Sequence, residues 1–155
     1  MPQAPPIVRE PIFKALFDLL STAVPAGSPQ FVTKGRRLRI WDEVDAADQP
    51  ALFLVQGPMV ASQQHFGLTK WEMKATAWIY FRAEASPDPA YYPAKTINDY
   101  VDAVEAALTP DPLGPTQTLG KLVVHCWIDG PVVFDEGVTD GQAVIVIPVT
   151  VLTAI

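Results

Sequence analysis

The sequence predicts an α+β fold: a mixed or antiparallel sheet of about four strands in two hairpins, with two amphipathic helices packed on one face of it. Three observations lead there. Two segments carry apolar residues at helical spacing, four carry β-branched and aromatic residues bounded by turn formers, and the six run in the order helix, strand, strand, helix, strand, strand. With 155 residues, 49% of them hydrophobic, the chain has material for one core. Neither an internal repeat, a heptad run nor a composition break divides it, so residues 1–155 are expected to form a single domain.

The first helix is residues 11–23, PIFKALFDLLSTA. Ile12, Phe13, Leu16, Leu19, Leu20 and Ala23 form one stripe, and Lys14 and Asp18 sit i, i+4 on the other side. Pro11 suits a first turn, where its missing N–H has no helical partner, and Pro25 and Gly27 end the segment. ALFLVQ (51–56) is a short strand. In 69–82 Trp71, Met73, Ala75, Ala77, Ile79 and Phe81 alternate with Lys70, Glu72, Lys74, Thr76, Trp78, Tyr80 and Arg82, a strand long enough to project beyond the body. The intervening GPMVASQQHFGL (57–68) is a long loop where a tight turn would have served, and Gln63, Gln64, His65 and Phe66 in it are candidate partner contacts.

The second helix, 95–108, turns Ile97, Tyr100, Val101, Val104 and Leu108 inward and Asp99, Asp102 and Glu105 outward, with Thr96 and Asp99 as a capping box. KLVVHCWID (121–129) and QAVIVIPVTVL (142–152) are the last strands, joined by a turn-rich stretch containing Gly130, Pro131, Gly137, Asp140 and Gly141. Pro148 cannot donate to a ladder, which places the final strand at an edge or a bulge. The sixteen prolines fall largely at segment edges and punctuate structure instead of replacing it.

Charge and composition exclude several functions. The formal charge is −6 and the pI near 4.7, which argues against a general nucleic-acid binder. Cys126 is the only cysteine, so neither an internal disulfide nor a zinc cluster is expected. MPQAPPIVREP lacks the basic start and apolar stretch of a signal peptide, and no run approaches the ~20 apolar residues of a membrane span; the chain is expected to be soluble in a cytoplasm with no membrane partner.

Chemistry is sparse. His125 and Cys126 are neighbours in a strand and point to opposite faces, so they make no thiol–base pair. Cys126 is expected beside Leu122, Val124 and Ile128 as a buried thiol, and His125 beside Val123 and Trp127. Asp135 and Glu136 resemble paired carboxylates but fit a Gly-rich turn equally well, and LTPDPLGPTQTLGK (108–121) lacks phosphate-loop spacing. No catalytic residue, metal ligand or cofactor is predicted.

One block stands out. KGRRLRIWDEV (34–44) gathers Lys34, Arg36, Arg37 and Arg39, four of the eleven basic side chains, then turns acidic at Asp42 and Glu43; Leu38, Ile40 and Trp41 give it an apolar side. Residues 1–82 carry nine basic and seven acidic side chains, 83–155 two and ten. Lys34, Arg36, Arg37, Arg39 and Trp41 are therefore candidate interface residues, with a nucleic-acid contact through the four cations as the alternative use.

The first helix, FVTKGRRLRIWDEV, QPALFLVQ, KWEMKATAWIYF, INDYVDAVEAAL, LGKLVVHCWIDGPVVFDEG and QAVIVIPVTVL, in that order over residues 9–153, resemble the small tail terminator and tail completion proteins of long-tailed phages and prophages, of the lambda minor tail protein U type. The resemblance implies a non-enzymatic α+β subunit of the virion tail, assembled in the bacterial cytoplasm. It implies a hexameric ring that caps the tail tube, ends its growth and meets the head, with the major tail tube protein, a head–tail connector protein and copies of itself as partners. Another neck or head-closure component is the nearest alternative. In a head-to-tail ring unlike surfaces meet, so the basic block and the acidic C-terminal half are expected to be complementary.

Overall fold

The computed structural model describes residues 7–63, 69–83, 88, 90–110, 114–137 and 141–153. Its elements are α1 (Arg9–Leu20), β1 (Thr33–Gly35), β2 (Ala51–Ser62), β3 (Lys70–Arg82), α2 (Ala94–Leu108), β4 (His125–Ile128), β5 (Val133–Asp135) and β6 (Gln142–Leu152). The class is α+β, but the sheet has six strands where about four were expected. It is ordered β1-β2-β3-β6-β4, with β5 also on β6. β1 runs parallel to β2 and every other pairing is antiparallel.

Alternation along the strands decides the layers. One row of partners is Leu52, Ile79 and Ile145; the next in the same sense is Leu54, Ala77 and Ile147, then Ala75 with Val149 and Met73 with Val151. All are buried in one cluster with Ile12, Phe13, Leu16, Leu20 and Ala23 of the α1 region and Ile97, Tyr100, Val104 and Leu108 of α2. Both helical stripes thus close on the same face of the sheet. Removing each large side chain from water contributes ~1.5–3 kcal/mol, enough to fix the strand register, since a one-residue slip would turn the whole row outward. On the opposite face Ala51, Phe53 and Tyr80 are covered at one end by the strap of residues 36–48, through Val44 and Leu38. The Tyr80 hydroxyl donates to the Arg39 carbonyl at 2.8 Å.

Several boundaries differ from expectation for local reasons. The Gly57–Pro58 pair does not end β2. It makes a bulge, three steps from Gln56 to Met59 opposing two from Ala75 to Met73, after which pairing resumes to Ser62 opposite Lys70. Half of the expected 57–68 loop is therefore a hairpin arm, which passes the end of β6 at Glu72–Leu152. The expected strand over 121–129 starts at His125, because Leu119, Gly120 and Lys121 all have positive φ. In that turn Val123 goes into the core and Leu122 out to solvent, the reverse of a strand beginning at 121. The turn-rich stretch holds β5. α2 opens at Ala94 after Pro93 without a side-chain cap, and Asp99 binds Lys95 at 2.6 Å, so Thr96 and Asp99 form no capping box. The α1 helix ends at Leu20, where Ser21 Oγ donates to the Phe17 carbonyl at 2.6 Å, several residues before Pro25. Its Lys14–Asp18 pair closes at 2.7 Å as spaced.

Pro148 lies inside the sheet, between β3 and β4, and not at an edge. Its carbonyl accepts the Asp129 N–H at 3.0 Å, so its missing donor also faces the β4 side. There the neighbouring strand breaks: β4 stops at Ile128, Gly130 takes φ 117 with a would-be Cβ at 3.4 Å from Pro148, and pairing resumes as β5. The irregularity that the proline demands is carried by its partner.

Candidate interaction surface

Three of the residues that the sequence offered for chemistry, His125, Cys126 and Asp135, are engaged in packing or in a turn. Cys126 is fully buried, and loss of solvation pushes its thiol up to about 12, far from a reactive thiolate. His125 stacks on Trp127 with ring centres 4.8 Å apart, and its Nδ1 accepts the Gln117 backbone N–H at 3.1 Å. Asp135 accepts the Gly137 N–H at 2.6 Å, the turn role its sequence context suggested. Among the described residues no group of three or more His, Cys, Asp or Glu side chains could hold a metal ion. No helix among them is long and apolar enough to cross a membrane.

The basic block does not act as one unit. Arg36 leaves β1 toward α1 and binds both oxygens of Glu10, while its Nη2 also donates to Gln56 Oε1 at 2.7 Å. The guanidinium beside it holds the Glu10 carboxyl below its usual range. Arg39 folds back and donates to the Glu43 carbonyl, closing the strap. Lys34 and Arg37 are exposed, and neither is joined to another described residue by a hydrogen bond or ion pair. Trp41 is half-exposed in a short turn of the strap. The structure thus separates Arg36 and Arg39, which fasten the chain to itself, from Lys34 and Arg37, which present charge to solvent beside the outer edge of the sheet. Gln63 is exposed just past the end of β2; Gln64, His65 and Phe66 lie outside the described residues.

The opposite flank was not singled out in the sequence. There β5 carries Val133 and Phe134, 57% and 53% exposed. Phe134 and Val132 border an open groove with Ile97, Asn98, Val101 and Asp102 of α2. Asp102 lines it and is exposed, as are Asp135 and Glu136, which follow Phe134 in the chain. This edge is therefore acidic and apolar, whereas the β1 edge carries Lys34 and Arg37, with Asp42, Glu43 and Asp45 exposed further along the strap. The signal was present as VVF between Pro131 and the Asp135–Gly137 turn, but three residues are too few for a period to register. No family model matches the chain, and no curated protein matches it.

Proposed function

We propose that this chain is a non-enzymatic structural subunit that assembles with copies of itself into a ring closing the end of a phage tail tube, with the tube protein on one side and the head–tail connector on the other. The resemblance in element order supports it, as does the absorption of His125, Cys126 and Asp135 into packing and turns. The observation that carries the reading is the polarity of the sheet's two flanks. Lys34 and Arg37 are exposed at the β1 edge with no ion pair among the described residues, and at the β5 edge Asp102 borders the apolar groove while Asp135 and Glu136 follow Phe134 in the chain. Unlike edge strands whose exposed side chains are of opposite sign favour head-to-tail contact, which generates rings when the rotation closes.

Mass measurement of the purified protein, alone and with tube protein, together with electron microscopy of tails, tests this. A discrete oligomer seated on tube ends is expected. Monomer alone at every concentration, with tube protein present, refutes it; a ring seated on heads instead of tails identifies a neck component.

A further inference from the structure

The two open edges of the sheet match in more than charge. Lys34 pairs in register with Leu52, so its side chain stands on the helix-covered face; Phe134 pairs with Ile145, which puts it on the same face. Lys34, Leu52, Ile79, Ile145 and Phe134 are one row across the whole sheet.

Backbone direction follows from the same parity. In β6 the residues facing away from the helices present their N–H and C=O toward β4 and β5, as Pro148 does in accepting from Asp129. By register Val146 and Val144 bond Val133 and Asp135, which leaves the Phe134 N–H and C=O pointing out of the sheet. β1 runs in the same direction as β6, so its away-facing residues Thr33 and Gly35 bond β2, and Lys34 presents its own N–H and C=O outward. β1 and β5 run in opposite senses.

From this we propose that β1 of one copy adds to β5 of the next as an antiparallel strand pair centred on Lys34 opposite Phe134, making one continuous sheet with α1 and α2 of every copy on one side. This rests on the self-association proposed above and specifies its joint. Direction, face and hydrogen-bonding parity all agree for this pairing, and aligning the two three-residue strands fully selects the register. The lysine stem then lies over the groove beside α2, with its ammonium near Asp102. Joining two β5 edges would instead set Asp102, Asp135 and Glu136 against themselves, and joining two β1 edges would oppose Lys34 and Arg37 to their copies, so the second copy is seated head to tail.

The test is disulfide trapping with separately purified Lys34→Cys and Phe134→Cys proteins, because a hydrogen-bonded antiparallel pair has a Cα separation of about 5.5 Å, inside the range a disulfide spans. Cys126 is fully buried and stays silent. The mixture is expected to cross-link under mild oxidation and each variant alone to remain unlinked. Phe134→Pro, which removes the outward N–H together with the exposed ring, is expected to abolish association while melting changes little. Self-linking of either single variant, or stronger association of Lys34→Ala, which would mark the lysine as a guard against edge pairing, overturns the joint. Oligomers without the mixed cross-link overturn the joint while the ring stands; monomer under all conditions, tube protein included, overturns both.

Discussion

Phe53→Ala is the most informative single change in this fold. The ring is 1% exposed and sits on the face away from the helices, 5.6 Å from the Tyr80 ring and tilted 55° to it. It lies directly under Gly35, whose would-be Cβ is 3.4 Å from it, and it belongs to the cluster that holds the 36–48 strap through Val44 and Leu38. Truncating a buried Phe costs about 3–5 kcal/mol, the lost transfer energy plus the cavity. For a chain of this size each kcal/mol lowers the melting temperature by about 2–4 °C, so a drop of about 6–20 °C is expected. The loss should also be uneven. Hydrogen exchange followed by mass spectrometry should show residues 33–48 losing protection well before β3 and β6, whose inner rows close on the helices. If melting falls by less than about 3 °C, or protection falls equally everywhere, the strap is not held by this cluster.

Two further changes probe other parts of the fold. The Cys126 thiol should resist alkylation in the native protein at neutral pH and react at once in denaturant. Its unfolded form ionises near the ordinary 9.0 while the folded form keeps its proton to about 12, and Tyr100, pushed up to about 12 by burial, acts in the same sense. The unfolded state therefore binds fewer protons in that window, and stability, full below pH 9, should fall as pH rises toward 12, by at most about 1.4 kcal/mol per pH unit per group; a flat alkaline melting profile would contradict this. Arg36→Glu and Arg37→Glu should part company. The first sets a carboxylate against Glu10 and lowers melting, whereas the second, at an exposed site with no partner among the described residues, should change stability by no more than about 0.5 kcal/mol and act only on low-salt association. Equal melting of the two variants would show that Arg36 does not fasten β1 to α1.

The parts legible in the sequence are those where a period runs long enough to be read. The stripe of α1, the stripe of α2 and the alternation of β3 repeat over three or more turns or pleats, and each buries most of the residues its pattern selects, with Leu19, Val101 and Trp71 only partly buried against the cluster. β1 and β5 have three residues each, less than any period needs. Gly57 and Pro58 read as a stop, yet a bulge absorbs one extra residue and the ladder continues. Leu119 and Lys121 take left-handed backbone although they carry side chains, so nothing in their identity announces the turn that shortens β4. For the candidate surface, the sequence located the cations but not their partners. Glu10, which takes up Arg36, lies 26 positions away on another element.

The acidic flank shows how a single backbone deficiency propagates to the surface. Pro148 has no N–H to offer, so the strand beside it departs after Asp129, turns at Gly130 and returns only at Val133. A continuous edge strand from His125 onward would have been long and regular. The break leaves instead a detached three-residue strand whose central residue, Phe134, faces α2 with its side chain and solvent with its backbone. At the far edge β1 is equally short, and there the central residue is a lysine. Short edges with a charge on one of them are the usual defence against indiscriminate pairing. Such a pair of edges tolerates a partner that supplies the opposite charge and the same three-residue length, and within this chain each edge is the one that meets the other's requirements.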